Sequence, residues 1–304
     1  MTASGAVVLG GHGFIGRHVC AALRRAGWSP VALGSAETAA GRSLDILLAA
    51  HAPAVVVNAA GAVWTRDPGE LHAANVVLTE RVVAEVAAAR PRPRLIHLGS
   101  SLEYAPTRVG VPCREDSPTG PATRYGHTKL QATTRVLDAV AAGSLDAVVL
   151  RLFNAFGPGA HPASLLGRLA GRLRVAAATR APVTVPLPRP VAYRDFVDVR
   201  DVADAVVAVA PHGPGTGVEG ALFNVGSGTA LATDDLVRGL VRASGVPAVL
   251  VDEPDGPSVR PGGPPWQCAD IARARRLGWR PRRAPERTLR DLWTRASHPM
   301  NDAP

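Results

Sequence analysis

The chain has 304 residues, 46% of them hydrophobic, enough to bury a large α/β core and too many for a peptide-sized binder. No apolar run approaches the roughly 20 residues of a membrane-spanning helix, and Met1 to Gly10 lack the charged start and long apolar block of a secretory leader; a cytoplasmic protein with no membrane partner is expected. The net charge of +9 comes from scattered arginines with no nucleic-acid motif, and Cys20, Cys113 and Cys268 share no metal or disulfide spacing, so neither nucleic acid nor a metal is expected.

In chain order, Val7 to Leu9 reads as a strand, followed by a glycine-rich turn and a helix over Arg17 to Ala26. Val31 to Leu33 and Ala54 to Asn58 read as strands, Leu71 to Ala89 as a helix, Leu95 to Leu98 as a strand, Arg124 to Ala141 as a helix and Ala147 to Leu152 as a strand. Alternating strands and helices imply a parallel, doubly wound sheet of Rossmann type. Proline and glycine become frequent after about residue 155: Pro182 to Pro190 suits loops and edge strands, and Asp252 to Pro265 suits a loop. The expected division is a dinucleotide-binding domain over 1–155, with returning segments near 195–228 (Asp201 to Val209, Phe223 to Val225). A smaller, mainly substrate-binding domain comes next over 156–296, then a tail over 297–304.

The first motif, Gly10-Gly-His-Gly13-Phe14-Ile15-Gly16-Arg17, lies between strand and helix. Glycines there permit a tight turn and close approach of a pyrophosphate to the N–H groups that open the helix. A second signal is rarity. Lysine occurs once, at Lys129, four residues after Tyr125, one of only three tyrosines. At that spacing the two side chains share a helix face. An ammonium about 5 Å from a phenol, at an effective dielectric near 20, would stabilise the phenolate by up to about 3 kcal/mol, or around two pKa units.

The G-x-x-G-x-x-G spacing, together with motifs further along the chain, resembles the extended short-chain dehydrogenase/reductases, the NAD-dependent epimerase/dehydratase family, over about residues 5 to 295. Asp45-Ile46 resembles the adenine-contacting pair, Asn58-Ala59-Ala60-Gly61 the turn after the fourth strand of that family, and Asn75 the asparagine of the next helix. Leu98-Gly-Ser100-Ser101 with Tyr104 resembles the strand end carrying the active-site hydroxyl, and the register to Tyr104 selects Ser100. Arg151-Leu-Phe-Asn154 with Gly157-Pro158, Arg194-Asp-Phe, Phe223-Asn-Val-Gly226 and Leu277-Gly-Trp-Arg-Pro281 complete the pattern. The resemblance implies catalysis by Ser100, Tyr125 and Lys129, with Lys129 also reaching a cofactor ribose. Ser101, Asn154, Arg194 and Arg260 are assigned to the substrate, guanidinium forks suiting its phosphates.

Dehydratases of this family have an Asp-Glu or Ser-Glu pair directly after the active-site hydroxyl; here Ser101 and Leu102 stand there and Glu103 is one place out of register, so elimination is not expected. The string Leu-Gly-Ser-Ser-x-x-Tyr is closest to nucleotide-sugar 4-ketoreductases. Reduction of a nucleotide-activated 4-keto-6-deoxyhexose is therefore expected, with a nucleotide-sugar 4-epimerase as the alternative and a redox-silent dinucleotide sensor as a remote one. The second strand ends at Gly34-Ser35, not at an acidic residue that would repel a 2′-phosphate, and Arg17, His12 or Arg42 could meet one; NADP(H) is favoured over NAD(H). The family also implies a homodimer formed by Leu71 to Ala89 and Arg124 to Ala141.

Overall fold

The mainly aliphatic runs at 6–9, 55–57 and 95–98 are almost wholly removed from solvent. Strands buried on both faces in this way belong to the middle of a parallel sheet. The computed structural model describes residues 4–34, 44–65, 67–210, 221–254 and 264–296. Strand β1 (Gly5–Leu9), helix α1 (Phe14–Arg25), β2 (Ser29–Leu33), α2 (Leu44–His51) and β3 (Val55–Asn58) form the first half of the main sheet and its covering. Next come α3 (Pro68–His72), a π-helical turn (Ala73–Val77), α4 (Leu78–Ala88), β4 (Arg94–Ser100), α5 (Arg124–Ala141), β5 (Ala147–Leu152) and the short β6 (Asn154–Phe156).

The sheet runs β2-β1-β3-β4-β5 and is closed at the β5 edge by β9 (Leu222–Val225), with every pairing parallel. The order reverses between β1 and β3, and ligands of such sheets bind beyond the strand ends at that crevice. On one face α1 packs against α7 (Val199–Val209), so this helix, like β9, returns to the first half of the chain. Helices α2, α4 and α5 cover the other face over a core of Leu44, Val82, Val136 and Leu95.

Most of the remaining elements build a second body of structure beside the strand ends, whereas Ala272–Arg276 packs back on β9 of the main sheet. Helix α6 (Leu165–Thr179), β7 (Val183–Arg189), β8 (Tyr193–Asp198), β10 (Ala230–Ala232), α8 (Thr233–Ser244), β11 (Ala248–Pro254), β12 (Trp266–Gln267), α9 (Ala272–Arg276) and α10 (Pro285–Ala296) complete the described chain. β8 is flanked by β10 and β12 and also pairs with β6, while β7 and β11 form a separate parallel pair. Leu166, Leu173, Leu187, Leu236, Leu240 and Leu292 make the core there.

Two expectations from the sequence need correction. The helix expected over 71–89 begins earlier, because Asp67 caps Gly69 and Glu70 ahead of a proline-led first turn. It is also interrupted by the π turn, where Asn75 turns inward to bond the loop after β3. The loop expected over 252–265 starts as strand: Asp252 to Pro254 continue β11 in register with Leu187 to Arg189. Residues 255–263 of it lie outside the described residues.

Trp279 fastens the end of the chain to the first core. It is 5% exposed and its indole N–H donates to the carbonyl of Asp201 on α7 at 3.0 Å. Removing a buried tryptophan side chain costs about 3–5 kcal/mol, so Trp279→Ala should lower the denaturation midpoint sharply, whereas Trp279→Phe should retain much of the stability. Equal midpoints for wild type and Trp279→Ala in urea titrations would mean that this end of the chain does not support the main core.

Candidate active site

The turn after β1 is shaped by what its glycines lack. Gly10 has φ of 71°, and a Cβ there would meet the backbone of Ala59 and Ala60 at 2.8 Å; one on Gly16 would lie 2.0 Å from the carbonyl oxygen of Gly10. Gly11, not singled out from the sequence, has no room because Ala32 of β2 sits 2.6 Å from its would-be Cβ. The backbone therefore crosses under the start of α1 with no side chain in the way, a cradle that fits the diphosphate of a dinucleotide. Gly10, Gly13, Phe14 and Ile15 line a cleft of about 1590 Å³, with Ala59, Ala60 and Gly61 opposite.

The far part of the same cleft carries the other predicted groups. Ser100 and Ser101 enter from the end of β4, Tyr125 and Lys129 from the first turns of α5, Asn154 from β6 and Arg194 from β8. The first turn of α5 is fixed by its cap, with Thr123 accepting from the N–H of Gly126 at 3.0 Å. Lys129 is 4% exposed and its ammonium donates to the carbonyl of Leu98 at 2.7 Å. Burial lowers its pKa to about 8, with the Glu103 carboxylate opposing the shift. Ser100 accepts the N–H of Leu102 at 3.2 Å, which leaves its hydroxyl proton to donate.

Beneath this surface lies a layer of paired polar groups. Glu103 is fully buried; it accepts from the Ser100 N–H at 2.6 Å, from Thr133 at 3.0 Å and from Arg151 at 2.7 Å. Its carboxylate thus faces away from the cleft and does not line it. The guanidinium of Arg151 also stacks over the Tyr104 ring at 4.5 Å, and the Tyr104 hydroxyl donates to Asn224 at 2.7 Å. Burial pushes the Tyr104 phenol up to about 12, so it is a structural donor and not a proton carrier near neutral pH.

Several candidate residues turn out to have structural partners. Asn75 accepts from Ala62 N–H at 3.0 Å and donates to the Ala62 carbonyl at 2.9 Å and to Thr128 at 3.0 Å; Thr128 in turn donates to the carbonyl of Tyr125. Asn75 therefore ties the loop after β3 to the turn that carries Tyr125. Ser101 donates to Gln267 at 3.0 Å and accepts through its carbonyl from the same side chain at 2.8 Å. Asn154 donates to the carbonyl of Asp195 at 3.0 Å. Asp195, neighbour of Arg194, accepts from the Ser227, Gly228 and Ala269 N–H groups and so joins the loop after β9 to the segment after β12.

Four predicted residues are not on the cleft wall. Asp45 and Ile46 are exposed on α2, where Asp45 accepts from the Ile46 N–H. Gly16 lies behind the turn, and Arg17 donates to the carbonyl of Gly159 and not into the cleft. Ser35 and Arg260, with Arg42, lie outside the described residues. Gln267 could not have been found from sequence, since 166 residues separate it from Ser101 and it stands in no motif. Among the described residues no cluster of three or more metal-ligating side chains occurs, and no helix is long and apolar enough to cross a membrane.

Comparison with known proteins adds three findings. Residues 6–226 match the model of the NAD dependent epimerase/dehydratase family. The chain is 40% identical over 306 residues to a dTDP-6-deoxy-L-talose 4-dehydrogenase (NAD(P)(+)) of Kitasatospora kifunensis, covering 95% of each, and 32% identical to a UDP-glucose 4-epimerase of Azospirillum brasilense, covering 91% of this chain and 87% of the relative. The fold is shared with the structure of RMD from Pseudomonas aeruginosa complexed with NADPH (TM-score 0.80, 23% identity, 97% of this chain and 98% of that one).

The buried layer yields a stability test. Removing one partner of a buried ion pair costs about 3–5 kcal/mol because the other charge is stranded, so Glu103→Ala should lower the unfolding midpoint strongly. Ser101→Ala, which gives up one hydrogen bond to Gln267, should cost about 1 kcal/mol. Chemical denaturation of both variants decides it; a mild effect of Glu103→Ala would mean that Arg151 is served by other partners.

Proposed function

The chain belongs to the NAD dependent epimerase/dehydratase family, and from that premise we propose that it interconverts a hydroxyl and a ketone at C4 of a nucleotide-activated 6-deoxyhexose. In the synthetic direction the reaction is reduction of the 4-keto-6-deoxy sugar. The observation that carries the reading is the meeting of Ser100, Tyr125 and Lys129 on one cleft whose other end is the glycine cradle. A nicotinamide dinucleotide, when bound with its diphosphate at Gly10, Gly13, Phe14 and Ile15, supplies or accepts the hydride at C4.

The chain's own residues manage the oxygen and its proton. Ser100 donates a hydrogen bond to the C4 oxygen as charge builds there. Tyr125 gives its phenolic proton to that oxygen in reduction and takes it back in oxidation. Lys129, as an ammonium in a site of low dielectric, stabilises the phenolate left behind. The product is a C4 hydroxyl, and solvent reprotonates the phenolate. Glu103, turned away into its ion pair with Arg151, offers no acid or base for elimination of water, which supports a redox reaction over dehydration. The K. kifunensis relative, named for oxidation at C4 of a 6-deoxyhexose, supports the choice over epimerisation. NADP(H) is the favoured cofactor: β2 ends at Leu33, and Gly34 just beyond it lines the cleft without an acidic side chain.

The test is oxidation of NADPH and NADH by the purified chain with a panel of 4-keto-6-deoxy nucleotide-sugars. Keto-sugar-dependent loss of NADPH is expected, with NADH slower; no loss, together with NAD retained through purification, would favour the epimerase. Tyr125→Phe should fold and bind dinucleotide yet lose most turnover, and an unaffected rate would sink the assignment. Because the ammonium of Lys129 is depressed to about 8 and is the active form, kcat/KM for the keto-sugar should fall as pH rises through about 8. Lys129→Met should be slow at every pH, without that inflection.

A further inference from the structure

Two aromatic side chains in the cleft take no part in the chemistry above. Trp64, in the loop after β3, and His161, in the loop after β6, stack with ring centroids 5.5 Å apart and planes inclined by 15°. Both line the cleft with Ser100 and Tyr125. They come from loops nearly a hundred residues apart in the chain.

Each ring is held by its own side of the fold. On one side, Ala62 is bonded twice to Asn75, Asn75 to Thr128, and Thr128 to the carbonyl of Tyr125, so the Trp64 loop is fastened to the turn that presents the phenol. On the other, His161 Nδ1 accepts the N–H of Ala163 at 3.1 Å, and its carbonyl accepts from the N–H and hydroxyl of Ser164, the cap of α6. The same loop is pinned to α1, with His18 donating to the carbonyl of Pro158 at 3.0 Å and Arg17 to that of Gly159. The stack is therefore a fixed surface on the cleft that Tyr125 also lines.

We infer that Trp64, seated on His161, is a specificity-determining residue: its indole forms an apolar wall against C6 of the hexose and selects a methyl group there over a hydroxymethyl. The inference rests on the C4 reading above. With the C4 oxygen held by Tyr125 and Ser100, the substituent on C5 is the nearest carbon outside the ring, and the wall tied to the Tyr125 turn is the surface it meets. A hydroxyl at C6 would need an acceptor. The indole has an N–H and no acceptor, and His161 Nδ1 already takes the Ala163 N–H. An apolar pocket of this kind rejects an added hydroxyl by about 10- to 100-fold, and no more, because part of the penalty is relieved by water.

The experiment compares kcat/KM for oxidation of nucleoside diphosphate 6-deoxyhexoses and their 6-hydroxy counterparts, with NADP+ and NAD+, in the wild-type chain, Trp64→Ala, Trp64→Phe and His161→Ala. The wild type should prefer the 6-deoxy sugar by about tenfold or more. Trp64→Ala should erase most of that ratio, Trp64→Phe should keep it, and His161→Ala should fall between as the indole loses its support. Should Trp64→Ala fail to fold, the Phe and His161→Ala pair carries the comparison. An unchanged ratio in Trp64→Ala, or in His161→Ala where that pair stands in, overturns the inference and leaves the C4 chemistry standing, as does a wild type that turns over both sugars equally. Turnover of neither sugar removes the underlying reading and the inference with it.

Discussion

The carboxylate of Glu103 is the point on which the cleft depends. It has no exposed surface, yet it binds the N–H of Ser100, the hydroxyl of Thr133 on α5 and the guanidinium of Arg151 on β5. One side chain thus joins the strand that carries Ser100, the helix that carries Tyr125 and Lys129, and the strand that leads to Asn154. A buried charge of this kind is tolerable only when every lone pair is used, and that demand fixes three elements against one another. The same carboxylate feels Lys129 and counteracts the loss of its ammonium on burial. Positioning and electrostatics in the cleft share one source.

Much of the architecture is legible in the residues. The valine runs mark β1, β3 and β5 because parallel strands must be apolar on both faces, and α5 stands at its predicted bounds because Thr123 caps it and Ala142 closes it. The glycine turn is legible because backbone clearance leaves a residue-type signature. Tyr125 and Lys129 are legible because helical spacing places them on one face and because the chain has no other lysine.

The parts that sequence does not reveal depend on contacts between distant segments. Asn75 and Ser101 read as ligand contacts from their motifs, but much of what they do is bind Ala62 and Gln267. Arg17 reads as a phosphate ligand from its position after the turn, yet its guanidinium finds a carbonyl 142 residues away. Gln267 has no periodicity, glycine or neighbouring motif to mark it. The π turn is likewise silent in the sequence: Ala73–Val77 contains no helix-breaking residue, and the bonds of Asn75 to Ala62 beyond β3 join segments distant in the chain.

The solitary lysine gives the molecule an unusual reactivity. Every other cationic side chain that stays charged is a guanidinium, so the one side-chain amine of the whole chain lies inside the cleft, 4% exposed and with its proton already loosened by burial. Reagents that acylate amines have no surface lysine to consume them, and neither do enzymes that attach acetyl groups or ubiquitin to lysine side chains. An amine-selective reagent small enough to enter the cleft would find Lys129 as its one side-chain amine, and a dinucleotide lying over it would shield it. The arginine-for-lysine bias of the surface thereby makes the cleft the home of the single addressable side-chain amine of the fold.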